Sequence, residues 1–204
     1  LYDFFIDSDR LYFIIGDVSG KGVPASLFMA IARSLFRTIS HNIDSPSEII
    51  TRMNNSISEN NESNMFITLI VGILDLQTGK LKLCNAGHNP PALIFPDGSV
   101  SFMETQKQLI VGIMSDYVYS DESIDLEKGT KIFLYTDGIT EAENTAKDLY
   151  GEKNLKKTLA ANTRQDIQTM VNTIICSVAF HVQMADQSDD ITILAIHYEP
   201  ETSK

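Results

Sequence analysis

The stretch Leu11-Tyr12-Phe13-Ile14-Ile15-Gly16-Asp17 (11–17) is apolar without alternation for five residues and then stops on Gly-Asp. A strand with one wet face alternates apolar and polar residues, so an unbroken run of this length suits a strand covered on both faces. Lys131-Ile132-Phe133-Leu134-Tyr135 repeats the pattern and ends on Thr136-Asp137-Gly138. Ile191 to Tyr198 is again apolar on both faces and is entered through Asp189-Asp190. Four more apolar runs, Met65–Leu76, Lys80–Asn85, Pro91–Phe95 and Val100–Met103, are separated by turn signals at Thr78-Gly79, Asn89-Pro90 and Pro96-Asp97-Gly98. They read as an antiparallel meander.

Helices interleave with these strands. From Pro24 to about Ser40, Leu27, Phe28, Ile31, Leu35, Phe36 and Ile39 recur at helical spacing, with Pro24 in the first turn. Ser45-Pro46-Ser47-Glu48 has the form of a capping box and opens a second helix to about Glu59. Leu149–Ala161 and Ile167–Val182 are helical as well. Strands buried on both faces and joined with pairs of helices predict an α+β fold of two sheets packed together with helices outside.

The 204 residues match one large domain, and 43% hydrophobic with 21% charged residues is ordinary globular composition. A net charge of −11 disfavours nucleic acid and anionic membrane surfaces as partners and favours cations. The longest apolar run is far short of a membrane span. Two cysteines, Cys84 and Cys176, and no signal-peptide pattern give no disulfide framework and no CxxC metal site, and point to a reducing cytoplasm. Residue 1 is Leu inside an apolar strand-like segment, so the chain is expected to be part of a longer polypeptide.

Three acidic positions share one feature. Asp17 and Asp137 stand just past the last apolar residues of their strands, and Asp189-Asp190 stands just before another. An antiparallel last strand would bring carboxylates to one sheet edge, where like-charge repulsion is relieved by a divalent cation. Oxygen donors without cysteine or clustered histidine select a hard ion such as Mg²⁺ or Mn²⁺. The competing reading of any one such Asp is a turn initiator. Gly16-Asp17-Val18-Ser19-Gly20-Lys21-Gly22 is not a P-loop, because three residues rather than four separate its glycines and Gly22 follows Lys21. Asp137-Gly138-Ile139-Thr140 lacks the second Asp of an aspartyl-phosphate enzyme. His41, His88, His181 and His197 read as structural, and Phe28, Met29 and Phe36 as part of a core stripe.

Four segments, GDVSGKGVPASLFMA (16–30), NAGHNPP (85–91), YTDGITEA (135–142) and SDDITILAI (188–196), together resemble the PPM metal-dependent serine/threonine protein phosphatases, in particular their bacterial SpoIIE/RsbU-like branch. The resemblance implies a four-layer α-β-β-α sandwich of two mainly antiparallel sheets flanked by helices, over one domain spanning 1–204. It implies two Mn²⁺ or Mg²⁺ ions held by Asp17, the carbonyl of Val18, Asp137 and Asp189, with Asp190 beside it. Two such ions activate a water for in-line attack on phosphorus, with Asp17, Asp137 and Asp189 acting through it. It further implies a phosphoserine or phosphothreonine substrate on a signalling protein of the anti-sigma-factor-antagonist kind, and an upstream sensor domain or activator. Because only a short Gly-rich segment separates Asp17 from the helix of residues 24–40, that helix is expected to couple such a partner to the site, the competing reading being a rigid core helix. Eukaryotic relatives carry a His after the bridging Asp, whereas here the equivalent stretch offers Ser19 and Lys21, which leaves the general acid unassigned. The family's first acidic strand leads into a Tyr-Asp-Phe-Phe-like sequence, and this chain begins at Leu1-Tyr2-Asp3-Phe4-Phe5, so one ligand strand is expected to precede it and Asp3 to point away from the ions. Two other readings compete: a catalytically silent signalling module with the same sheets, and a small-molecule phosphoesterase.

Overall fold

The computed structural model of the chain describes residues 1–59, 61, 64–106 and 108–200. Its elements, in order, are β1 (Tyr2–Asp7), β2 (Arg10–Val18), α1 (Val23–Ile39), α2 (Pro46–Ser58), β3 (Ile67–Asp75), β4 (Lys80–Ala86), β5 (Ala92–Ile94), β6 (Val100–Phe102), β7 (Glu122–Asp125), β8 (Lys131–Tyr135), α3 (Gly151–Ala161), α4 (Ile167–Val182) and β9 (Ile193–His197). The chain divides into two compact units, Leu1–His88 with Thr105–Leu126, and Asn89–Glu104 with Glu127–Lys204.

The first unit is an antiparallel sheet in the order β1-β2-β3-β4-β7, carrying α1 and α2. β2 and β3 pair over their full lengths, from Arg10 opposite Asp75 to Val18 opposite Ile67. Tyr12, Ile14, Leu69, Val71, Ile73 and Cys84 meet Phe36, Ile49, Ile50 and Met53 of the helices in one buried cluster. Burial of that size is the main stabilising term of the unit. α2 starts as its capping box predicts, with Ser45 Oγ accepting from the Glu48 N–H at 3.2 Å. The second unit is an antiparallel sheet in the order β6-β5-β8-β9, carrying α3 and α4. Its cluster joins Ala92, Ile94, Phe133 and Tyr135 to Leu155, Leu159, Met170, Ile174 and Val178. The buried Lys131 ammonium donates to the carbonyls of Thr163 and Gln165, each at 2.7 Å, and so holds the α3–α4 connection to β8.

Three sequence expectations are corrected, and one strand, β7, is added. The meander is broken: β3 and β4 pair in the first sheet, while β5 pairs with β6 and β8 in the second. The reason lies at the positive-φ Gly87 and the consecutive Pro90 and Pro91, which have no N–H to continue a ladder. Half of the α1 stripe is on the surface, because Leu27, Met29 and Ile31 are exposed with Val23 while only Ala32 and Phe36 are fully buried. Its apolar residues cover a wider arc than one sheet can hide. β9 is an edge strand of intermediate exposure rather than a strand covered on both faces. β7 carries too few apolar residues to be read from pattern; its Glu122 and Asp125 are the charges expected on an edge strand.

Asp3 on β1 is 5% exposed and faces α1. Arg37 donates to it through Nε and Nη2, both at 2.6 Å, and Arg33 Nε donates at 3.1 Å. The Arg37 guanidinium also stacks 4.9 Å from the Phe5 ring centroid. The Arg37 hydrogen bonds lead the causes that hold the Asp3 carboxyl below its ordinary value of 3.8, against a burial effect of opposite sign. A lowered folded-state value contributes stability that is complete above 3.8 and is lost as the pH falls through the folded value. Arg37→Met is expected to cost about 1–2 kcal/mol at neutral pH, the modest end for a charged pair because the Arg37 head is partly solvated. Urea unfolding of both proteins at neutral and at strongly acidic pH checks this, and the difference between them should shrink in acid.

Candidate metal centre

The β8–β9 pairing determines where two of the candidate carboxylates stand. The ladder runs from Lys131 opposite His197 to Tyr135 opposite Ile193. Beyond it, the Thr136 N–H donates to the Thr192 carbonyl at 3.1 Å and the Thr192 N–H donates to Thr136 Oγ1 at 2.9 Å. Thr136 Oγ1 in turn donates to the Asp190 carbonyl at 3.1 Å. Asp137 follows this clip on one strand and Asp189 precedes it on the other, so both reach the same sheet edge. A carboxylate oxygen from each lies within 4.8 Å of the other. β9 is antiparallel to β8, but β2 pairs in the other sheet, so the expected gathering of all the carboxylates at the edge of one sheet is corrected.

Gly138 makes the approach possible. A Cβ at this position would lie 2.4 Å from the Asp190 carbonyl oxygen, closer than real contacts allow. Any side chain there pushes the Asp189-Asp190 segment off the β8 edge. Asp190 itself is exposed and contributes its backbone to the clip, while its N–H donates to Asp189 Oδ1 at 2.9 Å. Sequence reasoning missed Thr136 and Thr192; a hydroxyl residue flanking each acidic motif is the signal that could have found them.

Asp137 Oδ1 is buried and has no hydrogen-bond donor among the described residues. A buried ionised oxygen without a partner is costly, and a second carboxylate nearby adds repulsion on the order of 3 kcal/mol at an effective dielectric of 20. A divalent cation removes both costs. The candidate donors are carboxylate oxygens, which suit a hard divalent cation and not a thiolate- or imidazole-preferring ion.

In the first unit, Asp17 lies at the end of β2 opposite Thr68, half-buried, with Val18 opposite Ile67. β2 can lie this close to β3 here because Gly16 has no side chain, as a Cβ would lie 2.6 Å from the Thr68 carbonyl oxygen. Ser19 closes the strand end, its N–H donating to the Phe66 carbonyl and its Oγ accepting from the Phe66 N–H, both at 2.9 Å. Its hydroxyl oxygen thus accepts from backbone at the strand end. Lys21 is exposed. His88 is held in its turn by Asn85, whose Oδ1 accepts from the His88 N–H at 2.8 Å and whose Nδ2 donates to the His88 carbonyl at 3.0 Å, and its Nδ1 lies 3.0 Å from Thr68 Oγ1. His41 packs on Phe5, His181 Nε2 is 3.0 Å from the Asp148 carbonyl, and His197 Nε2 is 3.6 Å from a Glu199 oxygen that sequence reading had not paired with it. Burial pushes the Cys84 thiol up to about 12, so it stays protonated and is no nucleophile.

Comparison with known proteins follows these strand-end motifs. The family model of Stage II sporulation protein E (SpoIIE) matches residues 7–199. The chain belongs to the SpoIIE family. This SpoIIE-family chain is 28% identical over 195 residues to the phosphoserine phosphatase RsbU of Bacillus subtilis (strain 168), covering 96% of the chain and 58% of RsbU. It thus spans little more than half of that relative's length. Among solved structures it superposes on the SiaA-PP2C domain of Pseudomonas aeruginosa with a TM-score of 0.86 at 19% identity, over 97% of this chain and 80% of that one. It superposes on RsbX in complex with magnesium with a TM-score of 0.69 at 17% identity, over 96% and 84%. These likenesses show the fold that the SpoIIE-family motifs imply, the α+β sandwich of PP2C-type (PPM) phosphatases. No helix among the described residues is long and apolar enough to cross a membrane.

Gly138→Ala is expected to separate the Asp137 and Asp189 edges and to destabilise the fold by about 1–3 kcal/mol, the usual cost of forcing atoms into a filled space. Thermal unfolding with and without added Mn²⁺ checks it: the variant should melt lower and should lose most of any stabilisation that Mn²⁺ confers on the parent.

Proposed function

We propose that this chain is the phosphatase domain of a metal-dependent serine/threonine protein phosphatase that hydrolyses phosphoserine or phosphothreonine on a signalling protein. The observation that carries the proposal is the buried, unpartnered Asp137 oxygen beside Asp189 on the TDG and DD motifs of a SpoIIE-family chain. Its relative RsbU is a phosphoserine phosphatase, and a protein with the same fold, RsbX, is known with magnesium.

In this reading Asp17 joins Asp137 and Asp189, with the Val18 carbonyl and Asp190 at the rim, to hold two Mn²⁺ or Mg²⁺ ions. When bound, the ions supply a nucleophilic water near neutral pH and offset charge on the phosphoryl oxygens. The chain's own groups then do two things. Asp17, at the end of β2, would supply a carboxylate shared in holding the ions. Asp137 is held by the Thr136 clip and the tight turn at Gly138, so its carboxylate is oriented before an ion arrives. The substrate protein is of the anti-sigma-factor-antagonist kind, and an upstream sensor domain or activator controls the enzyme. The domain works in the cytoplasm.

Hydrolysis of a phosphoserine peptide and of a nucleotide, each with Mn²⁺ and with EDTA, separates this reading from its rivals. Turnover of the peptide alone, abolished by EDTA, is expected. A silent signalling module turns over neither, and a small-molecule phosphoesterase prefers the nucleotide. In the complete protein Asp17→Asn is expected to lower turnover by about 10²–10³-fold, more than Asp137→Asn, since a shared ligand serves both ions. Calorimetric titration with Mn²⁺ should show the same order. Near-normal turnover of Asp17→Asn would remove its bridging role.

A further inference from the structure

The second unit contains a cleft that none of the chemistry above uses. It is lined on one side by Glu143, Asn144, Thr145 and Lys147 and on the other by Met184 to Ser188. Each wall is the chain continuation of one candidate metal ligand: residues 143–147 follow Asp137 through a single turn, and residues 184–188 run directly into Asp189.

Both walls are built rather than loose. In the first, Asn144 Oδ1 accepts from the N–H groups of Ala146 and Asp148, both at 2.9 Å, and Glu143 bridges Leu149. His181 on α4 bonds the Asp148 carbonyl and stacks edge-on to Tyr150, so the end of α4 is tied to this wall. The second wall leaves α4 at Gln183, and Gln187 Nε2 donates to the Asp189 carbonyl at 2.8 Å. Lys147 and Gln183, with φ of 69° and 56°, hold the left-handed conformation that non-glycine residues adopt at a cost of about 1 kcal/mol or more, and one stands in each wall.

The surface chemistry of the cleft is mixed. Met184 is 91% exposed and Phe180, one turn earlier, is 83% exposed. Large apolar side chains standing free at a polar rim mark a contact surface. Beside them are the Lys147 ammonium, 2.7 Å from Glu143, and the amides of Asn144 and Gln187. An inorganic phosphate or a nucleotide is poorly served by an exposed thioether beside the carboxylates of Glu143 and Asp186, whereas an extended polypeptide offers both side chains and backbone groups to such a mixed rim.

We propose that this cleft seats the polypeptide flanking the phosphoserine of a protein substrate, with Met184 as its apolar anchor and Lys147 at its opposite wall, and so determines which phosphoproteins are accepted. The inference rests on the phosphatase reading above. Continuity carries it: a peptide whose phosphate lies at the Asp137–Asp189 edge extends along the chain segments that lead away from those two residues. Met184 adapts to varied apolar partners through its flexible thioether stem.

The test compares Met184→Asp and Lys147→Ala with the parent in the complete protein, measuring initial rates on a phosphoserine peptide library randomised on both sides and on p-nitrophenyl phosphate, which has no flanking residues. For the peptides KM should rise about tenfold in Met184→Asp, as when an interface anchor is lost. The rate on p-nitrophenyl phosphate should stay within about twofold in both variants, because no contact made in its transition state has been removed. Peptide kinetics unchanged in both variants would overturn the cleft while leaving the phosphatase reading intact. Equal losses on both substrates would also overturn it, by assigning these residues to the integrity of the metal edge. A parent protein that hydrolyses p-nitrophenyl phosphate and no phosphopeptide would overturn both readings together.

Discussion

The pairing of β8 with β9, extended by the Thr136–Thr192–Asp190 clip, is the constraint on which the chemistry of the second unit depends. Register in an antiparallel pair is an all-or-none property, because a slip of one residue turns every side chain to the other face. Here the register is held on three sides: by buried Ile132, Phe133 and Leu134, by the threonine clip, and by Gly138 lying against the Asp190 carbonyl. Two carboxylates that repel each other therefore share one edge because the rest of the sheet has already determined their positions. Folding energy from apolar burial is what allows the charge to be concentrated.

The first unit solves a related problem by other means. Asp3 is as buried as a core residue, yet it is neutralised on the spot by Arg37 and Arg33, and the pair ties β1 to the helix that follows Asp17. The contrast with Asp137 is informative. One buried carboxylate oxygen set has cationic donors supplied by the chain, and the other has an oxygen for which the described residues supply none. The first arrangement belongs to architecture, and the second leaves an acidic group that could hold a metal ion.

α1 carries a surplus of apolar surface beyond what its own sheet needs. Ala32 and Phe36 pack inward while Val23, Leu27 and Ile31, spaced four apart, form a separate exposed stripe. The same four-residue spacing that makes a core stripe legible also describes a stripe on the surface, and periodicity alone does not say which is which. Together with Met184 and Phe180 on the second unit, this leaves apolar side chains exposed beside the chain segments that bear the acidic motifs.

By itself the sequence determined the strand ends. Unbroken apolar runs bounded by Gly-Asp, Asp-Gly and Asp-Asp placed β2, β8 and β9 and singled out Asp17, Asp137 and Asp189, since an apolar run and a sharp polar stop are local properties of the chain. Helices α2 and α4 were legible to within a residue or two because a capping side chain lies next to a helical period. The tertiary structure alone decided which strands are partners. β4 and β5 are neighbours in sequence and lie in different sheets, β7 joins the first sheet with almost no apolar signal, and β9 is an edge. Side-chain burial selects the register once two strands meet, but the backbone hydrogen bonds are available to any residue type, so the pattern does not name the partner strand. The roles of Thr136, of Gly138 against Asp190, and of Asp3 against Arg37 follow from that pairing, because each is a contact between residues that only the folded chain brings within reach.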